Sequence, residues 1–327
     1  MSNFIKSVDD RTRLAGTNRL EVLLFSLGKD IRTGREETYG VNVFKVREVM
    51  LVPEITHAPD MPPSVEGMVS LRGNMIPVIN LPDFCGIQTE ERPGILIVTE
   101  YNKNVQGFLV HAVDTIERLA WEDVKVPPAM MAQQHGGLVT AVTELKDSRL
   151  VMIMDVEMVL SQTSGFGQGS ELFEGIKQVG DSDITLLFAD DSAVARDQII
   201  RTMEHMGIKY IGTTNGAEAW SKLKEIAERA TATEHKPSDF VQIILTDVEM
   251  PEMDGYVLTR KVKEDARFSD IPIIMHSSLS ADANMALGKG VGADAYVPKF
   301  EPTELSSKLH EIIEGIHGHK NARRSES

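Results

Sequence analysis

The chain has 327 residues, of which 42% are hydrophobic and 25% charged, and its formal net charge is −15. This length suggests two domains, and the composition is typical of globular proteins rather than of disordered or fibrous ones. The single cysteine, Cys85, excludes an internal disulfide and a zinc site built from cysteines, and it favours a cytoplasmic location.

The acidic balance is shared by both halves of the chain and argues against binding to nucleic acid, because phosphate backbones attract Lys and Arg. No stretch approaches the roughly 18 apolar residues that a membrane span needs, and residues 1–20 contain no apolar signal-peptide core. We therefore expect neither a nucleic-acid partner nor direct insertion into a membrane.

Residues 1–17 form an N-terminal extension, in which residues 4–14 are compatible with either a short helix or a frayed end. Short Val/Ile/Leu-rich runs with period-two stretches then follow, separated by turn residues. These runs are 19–27, 38–46, 74–81, 94–100, 106–113 and 149–156. Their spacing predicts an all-β barrel or sandwich over residues 18–163.

A small, polar and Gly-rich stretch predicts a linker over residues 164–181. Apolar strands alternate after it with amphipathic helix-length segments over residues 182–317. The strands are 184–190, 209–212, 241–247, 271–277 and 293–299, and the helices 192–206, 217–228, 255–263, 281–289 and 302–316. This alternation predicts a doubly wound α/β domain with a five-stranded parallel sheet. The basic tail, residues 318–327, has no apolar period and is predicted to be disordered.

Acidic residues stand where two strands of the second domain end. Asp190 and Asp191 follow one strand, and Asp247 ends another. Ligands of such sheets bind beyond the carboxyl ends of the strands, so we expect these carboxylates to converge. Two unit charges 5 Å apart repel by about 3 kcal/mol at an effective dielectric near 20, and a hard cation such as Mg²⁺ would offset that repulsion.

Two further strands end in Ser277 and in Lys299. Each of these residues alone is more often a helix cap or a solvated side chain than part of a site. Together, however, the ends of four strands of one sheet supply carboxylates, a hydroxyl and a cation. This set of groups suits phosphoryl transfer to a carboxylate, because that reaction is catalysed mainly by positioning and by charge neutralisation.

Asp247 begins the segment DVEMPEMDGY. This segment and the strand-end residues named above resemble the receiver domain of two-component response regulators, over about residues 182–317. The resemblance implies a flavodoxin-like fold in which Asp247 accepts a phosphoryl group from a histidine kinase. It further implies Mg²⁺ on Asp191, Asp247 and the backbone carbonyl of Glu249, with Asp190 assisting. Lys299 and Ser277 would contact the phosphoryl oxygens, and Tyr296 would be the aromatic switch.

The receiver pattern is broken after the lysine. Receivers usually carry Pro at the next position, whereas this chain has Pro298 before the lysine and Phe300 after it. The geometry of this loop therefore stays open at the level of sequence.

The first domain lacks an obvious catalytic constellation. Its histidines, His57, His111 and His135, are not paired at metal-ligand spacing, and Cys85 lies among apolar residues, which favours a buried inert thiol.

The segments YGVNVFKVREVM, APDMPP, VEGMVSLRGNMIPVINLPDF and GFLVHAVDTIERL resemble the CheW-type coupling domain over about 18–163. The resemblance implies two five-stranded β-barrels packed together, in an adaptor that joins the histidine kinase CheA to chemoreceptors, the methyl-accepting chemotaxis proteins. It places Val46, Gly67 and Arg72 at or near receptor contacts. Val46 is equally consistent with core packing, Gly67 with a turn and Arg72 with a structural salt bridge.

A CheW-like domain followed by a receiver resembles the CheV family of chemotaxis coupling proteins. This order implies a cytoplasmic adaptor in receptor arrays at the inner membrane, tuned by phosphorylation for adaptation or as a phosphate sink. It is not expected to be an enzyme beyond self-catalysed transfer to Asp247. The alternatives are a receiver-gated enzyme with catalysis in the β half, and a receiver with a purely structural first domain.

Overall fold

The computed structural model describes residues 19–57, 59–101, 104–128, 138–164, 170–180, 183–277 and 290–325. Residues 4–14, compatible with a helix or a frayed end, the helix predicted at 281–289, and His135 lie outside these residues. The chain divides into two compact units, Met1–Phe166 and Gly167–Ser327, so the division falls within the predicted linker.

The first unit is built mainly from strands, as its period-two apolar runs predict. The strands are β1 Arg19–Ser26, β2 Thr38–Asn42, β3 Val46–Leu51, β4 Val65–Leu71, β5 Asn74–Asn80, β6 Ile95–Tyr101, β7 Asn104–Val110, β8 Ala112–Ala120, β9 Val139–Glu144 and β10 Leu150–Met154. The helices among its described residues are α1 Leu81–Phe84 and α2 Val156–Ser164, with 3-10 turns at Val43–Lys45 and Trp121–Asp123.

These strands form two five-stranded sheets, ordered β8-β1-β2-β10-β9 and β3-β6-β7-β5-β4. A single antiparallel bridge closes each sheet. Lys125, after β8, pairs with Val142 in β9, and Thr56, after β3, pairs with Met68 in β4. The two sheets therefore form the pair of five-stranded barrels that the sequence resemblance implies.

Inward-facing side chains fill each barrel, and a third apolar cluster joins the barrels to each other. Val22 and Val151 lie inside the first barrel, and Val78 and Leu96 lie inside the second. The third cluster combines residues of both sheets, and its fully or nearly fully buried members include Leu23, Phe25, Ile79, Ile97 and Phe108. The two barrels thus share a continuous core.

The apolar run predicted as a strand over 149–156 ends earlier than expected. Strand β10 stops at Met154, and α2 begins at Val156. The side chain of Asp155 accepts hydrogen bonds from the backbone N–H groups of Glu157 and Met158, at 2.9 and 3.3 Å. This carboxylate caps the helix, which explains the change from strand to helix.

The second unit alternates strands with helices as predicted. Its strands are β11 Thr185–Ala189, β12 Lys209–Thr213, β13 Ile243–Asp247, β14 Ile273–Ser277 and β15 Ala295–Pro298. Its described helices are α3 Ala193–Met206, α4 Gly216–Ala232, α5 Gly255–Glu264 and α6 Pro302–Ser325, with 3-10 turns at Ser170–Phe173 and Pro237–Asp239. All strand pairs are parallel, in the order β12-β11-β13-β14-β15. The fold class is therefore confirmed.

Two apolar clusters lie on opposite faces of this sheet. One packs α3 and α6 against residues such as Phe188 and Leu245, and the other packs α4 and α5 against residues such as Leu187 and Ile244. The alternation of side chains along each strand divides these residues between the two faces. Strands buried on both faces explain why the second unit contains continuous apolar runs.

Part of the predicted linker packs onto the second unit as a strap, residues 170–180. Phe173 in the strap is 3% exposed. Its ring stacks on that of His205 at 5.1 Å, and the guanidinium of Arg201 lies 4.3 Å from the ring centroid. The backbone N–H of Val179 donates to the carbonyl of Met206 at 2.9 Å. Gly and Ser content thus predicts a flexible segment, whereas these contacts hold its second half in place.

The final helix also extends further than its apolar period. Helix α6 ends at Ser325, whereas the sequence predicts disorder over 318–327. Lys and Arg are good helix formers, and positive charge near the C-terminus of a helix is favourable. Those two preferences account for the longer helix.

Candidate functional site

Three carboxylates meet at the carboxyl ends of the two central strands. Asp190 follows β11, and Asp247 ends the neighbouring β13. Asp190, Asp191 and Asp247 each offer an oxygen atom, and these three atoms lie within 4.8 Å of one another. Asp190 is 0% and Asp247 4% exposed, while Asp191 is half-buried. The structure therefore brings together the three carboxylates that the sequence singles out.

The ammonium group of Lys299 lies between two of these carboxylates. Its Nζ atom is 2.9 Å from Oδ2 of Asp190 and 2.9 Å from Oδ2 of Asp247, and the lysine is 2% exposed. A buried cation at this distance offsets part of the repulsion between the two buried anions. Lys299 belongs to the site, as its position at a strand end predicts.

Local hydrogen bonds hold both acidic residues in place. Oδ1 of Asp190 accepts from the backbone N–H of Ser192 at 2.9 Å, and Oδ1 of Asp247 accepts from that of Val248 at 2.6 Å. The guanidinium of Arg196 donates to the backbone carbonyl of Asp190 at 2.9 Å. These bonds orient the carboxylates before any ligand binds.

Sequence reasoning missed two residues that contact Asp190. One is Arg196, in the first turns of α3. The other is His276, which is 2% exposed and whose Nδ1 lies 3.9 Å from Oδ2 of Asp190. The signal for His276 was a polar residue within an otherwise apolar strand, directly before Ser277.

Ser277 and Tyr296 meet beside this acidic cluster. Ser277 ends β14 and is 2% exposed, and Tyr296 lies in the adjacent β15. Burial raises the pKa of Tyr296 to about 12, while a hydrogen bond between its hydroxyl and the Ser277 side chain opposes that rise. The proposed hydroxyl donor and the proposed switch residue are thus already in contact.

The loop after Lys299 has a defined geometry without the usual proline. Phe300 has a φ of 63°, in the left-handed region, and is 4% exposed. The backbone N–H of Lys299 donates to the carbonyl of Ser277 at 3.0 Å. Burial of the Phe300 ring and this hydrogen bond hold the lysine at the site. Glu249 is half-buried two residues after Asp247, and its backbone carbonyl as a metal ligand stays a prediction.

In the first unit, the three residues placed near receptor contacts have different surroundings. Val46 is 6% exposed and belongs to the core between the barrels, which favours its packing alternative. Gly67 has a φ of 149°, and an added Cβ atom would lie 2.4 Å from the carbonyl oxygen of Thr56. Arg72 lies in the β4–β5 turn, with a side chain 70% exposed and an ion pair to Glu48 at 3.0 Å.

Cys85 has the environment of an unreactive thiol. It packs against the core between the barrels. Burial raises its pKa to about 12, and the thiolate is the nucleophilic form. Among the described residues, none of the helices combines the length and the apolar composition that a membrane span requires.

Comparisons with known proteins match both units. The CheW-like domain model matches residues 21–164, and the response regulator receiver domain model matches residues 186–310. The chain is 30% identical over 285 residues to chemotaxis protein CheV3 of Helicobacter pylori, covering 85% of this chain and 89% of that protein. Identity to CheV1 of the same organism is 25% over 335 residues, covering 96% and 99%.

A second kind of relative matches the receiver unit alone. Chemotaxis protein CheY1 of Helicobacter pylori is 33% identical over 130 residues, which cover 39% of this chain and 95% of that protein. The CheV relatives, in contrast, span both units in the same order. The comparisons give no support to a receiver-gated enzyme. The chain belongs to the CheV family of chemotaxis proteins, in which a CheW-like coupling domain is followed by a response-regulator receiver domain.

Proposed function

We propose that this protein is an adaptor that couples chemoreceptors to the histidine kinase CheA, and that phosphorylation of Asp247 tunes the coupling. It would act in the cytoplasm, within receptor arrays at the inner membrane. The observation that carries the phosphorylation half of the proposal is the buried Lys299 ammonium, 2.9 Å from the buried carboxylates of both Asp190 and Asp247. A lysine placed on the acceptor carboxylate is ready to pair with the oxygens of an incoming phosphoryl group.

The transfer step assigns one role to each residue. A carboxylate oxygen of Asp247 forms the new P–O bond while the P–N bond of a kinase phosphohistidine breaks, and the imidazole keeps the electron pair and takes up a proton. Lys299 pairs with the phosphoryl oxygens, and the Ser277 hydroxyl donates a hydrogen bond to one of them. The product is an acyl phosphate with a charge of about −1.5 to −2.

The acidic cluster fits Mg²⁺ by the chemistry of its donor atoms. Three carboxylate oxygens lie within 4.8 Å of one another, and the single charge of Lys299 does not balance three negative charges. Asp191, Asp247 and the backbone carbonyl of Glu249 would hold the ion, with Asp190 assisting. When bound, Mg²⁺ neutralises charge on the transferring phosphoryl group.

Phosphotransfer from radiolabelled CheA tests the acceptor. We expect labelling of the wild-type chain and none of Asp247→Asn. Asp183→Asn is the matched control, because the Asp183 side chain is 99% exposed and its described ion pair is with the exposed Lys209. Excess chelator should abolish labelling. Equal labelling of wild type and Asp247→Asn would refute the acceptor, and labelling that persists in chelator would refute the metal.

The coupling half of the proposal concerns the exposed tip of the β4–β5 hairpin. Arg72 reaches solvent there, so we propose it as a contact residue for the receptor or kinase. The buried Val46 and the closely packed Gly67 would shape this surface instead of touching the partner. Arg72→Asp should therefore weaken binding of the full chain.

Pull-down of CheA and of receptor cytoplasmic fragments by the full chain tests this surface. Arg149→Asp is a matched control, because Arg149 is also exposed and paired with acidic residues, in the other barrel. No retention by wild type would leave the first unit as a structural module and overturn the coupling proposal. Unchanged retention by Arg72→Asp would remove Arg72 from the contact.

The same pull-down, repeated with the acyl-phosphate mimic beryllofluoride, tests whether phosphorylation of Asp247 changes the binding of CheA or receptor. A change in retained CheA or receptor in either direction supports regulation through Asp247. Equal retention with and without the mimic, under conditions where it binds, contradicts regulation.

A further inference from the structure

Tyr256 has a buried hydroxyl that the phosphorylation site, as described above, does not use. The residue is 9% exposed, and its hydroxyl has no hydrogen-bond partner within the described part of the chain. A buried donor left unpaired costs free energy, so proteins rarely retain one without a reason.

Tyr256 lies close to the acceptor because of where α5 begins. It is the second residue of that helix. The helix start is joined to the end of β13, since the backbone N–H of Gly255 donates to the carbonyl of Val248 at 2.9 Å. Val248 directly follows Asp247 in the chain.

The sheet places Ser277 and Tyr296 on the face that α5 covers. Leu258 and Val262 of α5 pack with Ile273 of β14. Side chains alternate along a strand, so Ser277, four residues after Ile273, lies on that same face. Tyr296 pairs in register with Met275, two residues before Ser277, and shares this face. Tyr256, Tyr296 and Ser277 therefore lie at one end of one face of the sheet.

The electrostatics of Tyr256 agree with this placement. Its pKa is raised first by burial, and then by the neighbouring Tyr296, Glu249, Asp254 and Asp247. Tyr296 is the largest contributor among these neighbours.

Counting protons shows what the unpaired hydroxyl could supply. A serine hydroxyl has one proton and two acceptor lone pairs, and a tyrosine hydroxyl likewise donates once. When the Ser277 hydroxyl donates its one hydrogen bond to a phosphoryl oxygen, it can only accept a hydrogen bond from Tyr296. The oxygen of Tyr296 can then accept a hydrogen bond itself, and Tyr256 carries a hydroxyl proton that has no acceptor among the described residues.

We propose that Tyr256 is a positioning residue that completes a chain of hydroxyl donors when Asp247 is phosphorylated: Tyr256 to Tyr296, Tyr296 to Ser277, and Ser277 to the phosphoryl oxygen. The inference rests on the proposed function, because the chain forms only around an acyl phosphate. Successive hydrogen bonds that donate in the same direction polarise each other. The hydrogen bond from Tyr256 therefore strengthens the one that Ser277 donates to the phosphoryl oxygen.

This role predicts that Tyr256→Phe affects the resting protein and the protein loaded with the phosphoryl mimic differently. The substitution removes a hydroxyl that has no partner in the described part of the resting protein, so thermal stability without ligand should be unchanged or higher. It removes a hydrogen bond from the loaded site, so beryllofluoride with Mg²⁺ should bind about fivefold more weakly. A purely structural role would lower stability and would not weaken binding by this factor.

Calorimetric titration and thermal unfolding of the full chain test the inference. Tyr210→Phe is the control, because Tyr210 is 39% exposed and lies at the edge strand β12; it should change neither quantity. The losses of Tyr256→Phe and Tyr296→Phe should be non-additive, with the double variant binding no more weakly than Tyr296→Phe alone. Wild-type affinity in Tyr256→Phe, or additive losses, would overturn the donor chain.

The failure of the proposed function gives a different result. If wild-type protein does not bind beryllofluoride, or binds it as Asp247→Asn does, then the acceptor site is wrong and the donor chain falls with it. If wild type binds and Tyr256→Phe binds equally well, only the role of Tyr256 is wrong.

Discussion

The ammonium of Lys299 lies 2.9 Å from the carboxylate of Asp247, and these residues are 2% and 4% exposed. The same ammonium lies 2.9 Å from Asp190. Taking an ion out of water costs several kcal/mol, so each group in this cluster depends on the others for compensation. Stability and the proposed phosphoacceptor site are therefore coupled at one lysine.

Lys299→Met should lower the free energy of unfolding of the second unit by about 3–5 kcal/mol, because it leaves two buried carboxylates without their cation. Urea denaturation followed by Trp220 fluorescence, in a Trp121→Phe background, isolates this unit, since these are the two tryptophans. Lys209→Met is the control, because its pair with Asp183 is exposed and should contribute at most about 1 kcal/mol. Equal midpoints for Lys299→Met and wild type would contradict the prediction.

Gly67→Ala should destabilise the first unit by more than about 2 kcal/mol. The substitution combines an unfavourable φ of 149° with a Cβ atom 2.4 Å from the carbonyl oxygen of Thr56. Gly73→Ala is the matched control, since Gly73 also has a positive φ, at 84°, but no neighbour within 4 Å. The melting temperature should be highest for wild type, lower for Gly73→Ala and lowest for Gly67→Ala. Equal decreases in melting temperature for the two variants would disprove the close contact.

Phe173→Ala should cost the second unit about 3 kcal/mol, because the ring is buried and contacts Arg201 and His205. Lys177→Ala, an exposed position in the same strap, should change stability by less than about 0.5 kcal/mol. Urea denaturation compares the two variants. If Phe173→Ala unfolds at the wild-type urea concentration, residues 170–180 behave as a linker rather than as part of the receiver.

Cys85 should be nearly inert towards iodoacetamide in the folded chain at pH 8. With a pKa raised to about 12, the fraction of thiolate is about a thousandfold below that of an ordinary thiol. The rate should rise steeply with pH and should become that of a free thiol in urea. Since Cys85 is the only cysteine, mass spectrometry of the intact chain measures this rate directly. Alkylation of the folded chain at the rate of the unfolded chain would contradict the prediction.

Sequence periodicity predicted all five strands of the second unit and six strands of the first, but it missed β3, β4, β8 and β9. The weakest local signal among the missed strands belongs to β9. That strand, Val139–Glu144, has the sequence VTAVTE, in which Thr and Glu reduce the apolar signal. It is stabilised by pairing with β10 and by the bridge from Lys125, which are contacts distant in sequence. Local composition carries no information about such partners.

The sequence by itself determined the class of each domain and the main members of the site. Hydrophobic periodicity depends on which face of a strand or helix is buried, and parallel strands end at one edge of their sheet, so Asp190, Asp191, Asp247, Ser277 and Lys299 could be grouped without a structure.

Only the tertiary structure decided which atoms meet. It placed Lys299 on two carboxylates, brought His276 near Asp190, docked Phe173 of the strap and left the hydroxyl of Tyr256 without a partner among the described residues. Burial and hydrogen bonding of a side chain depend on elements far away in sequence, because the packed neighbours come from other strands and helices. For that reason residue identity alone did not reveal these contacts.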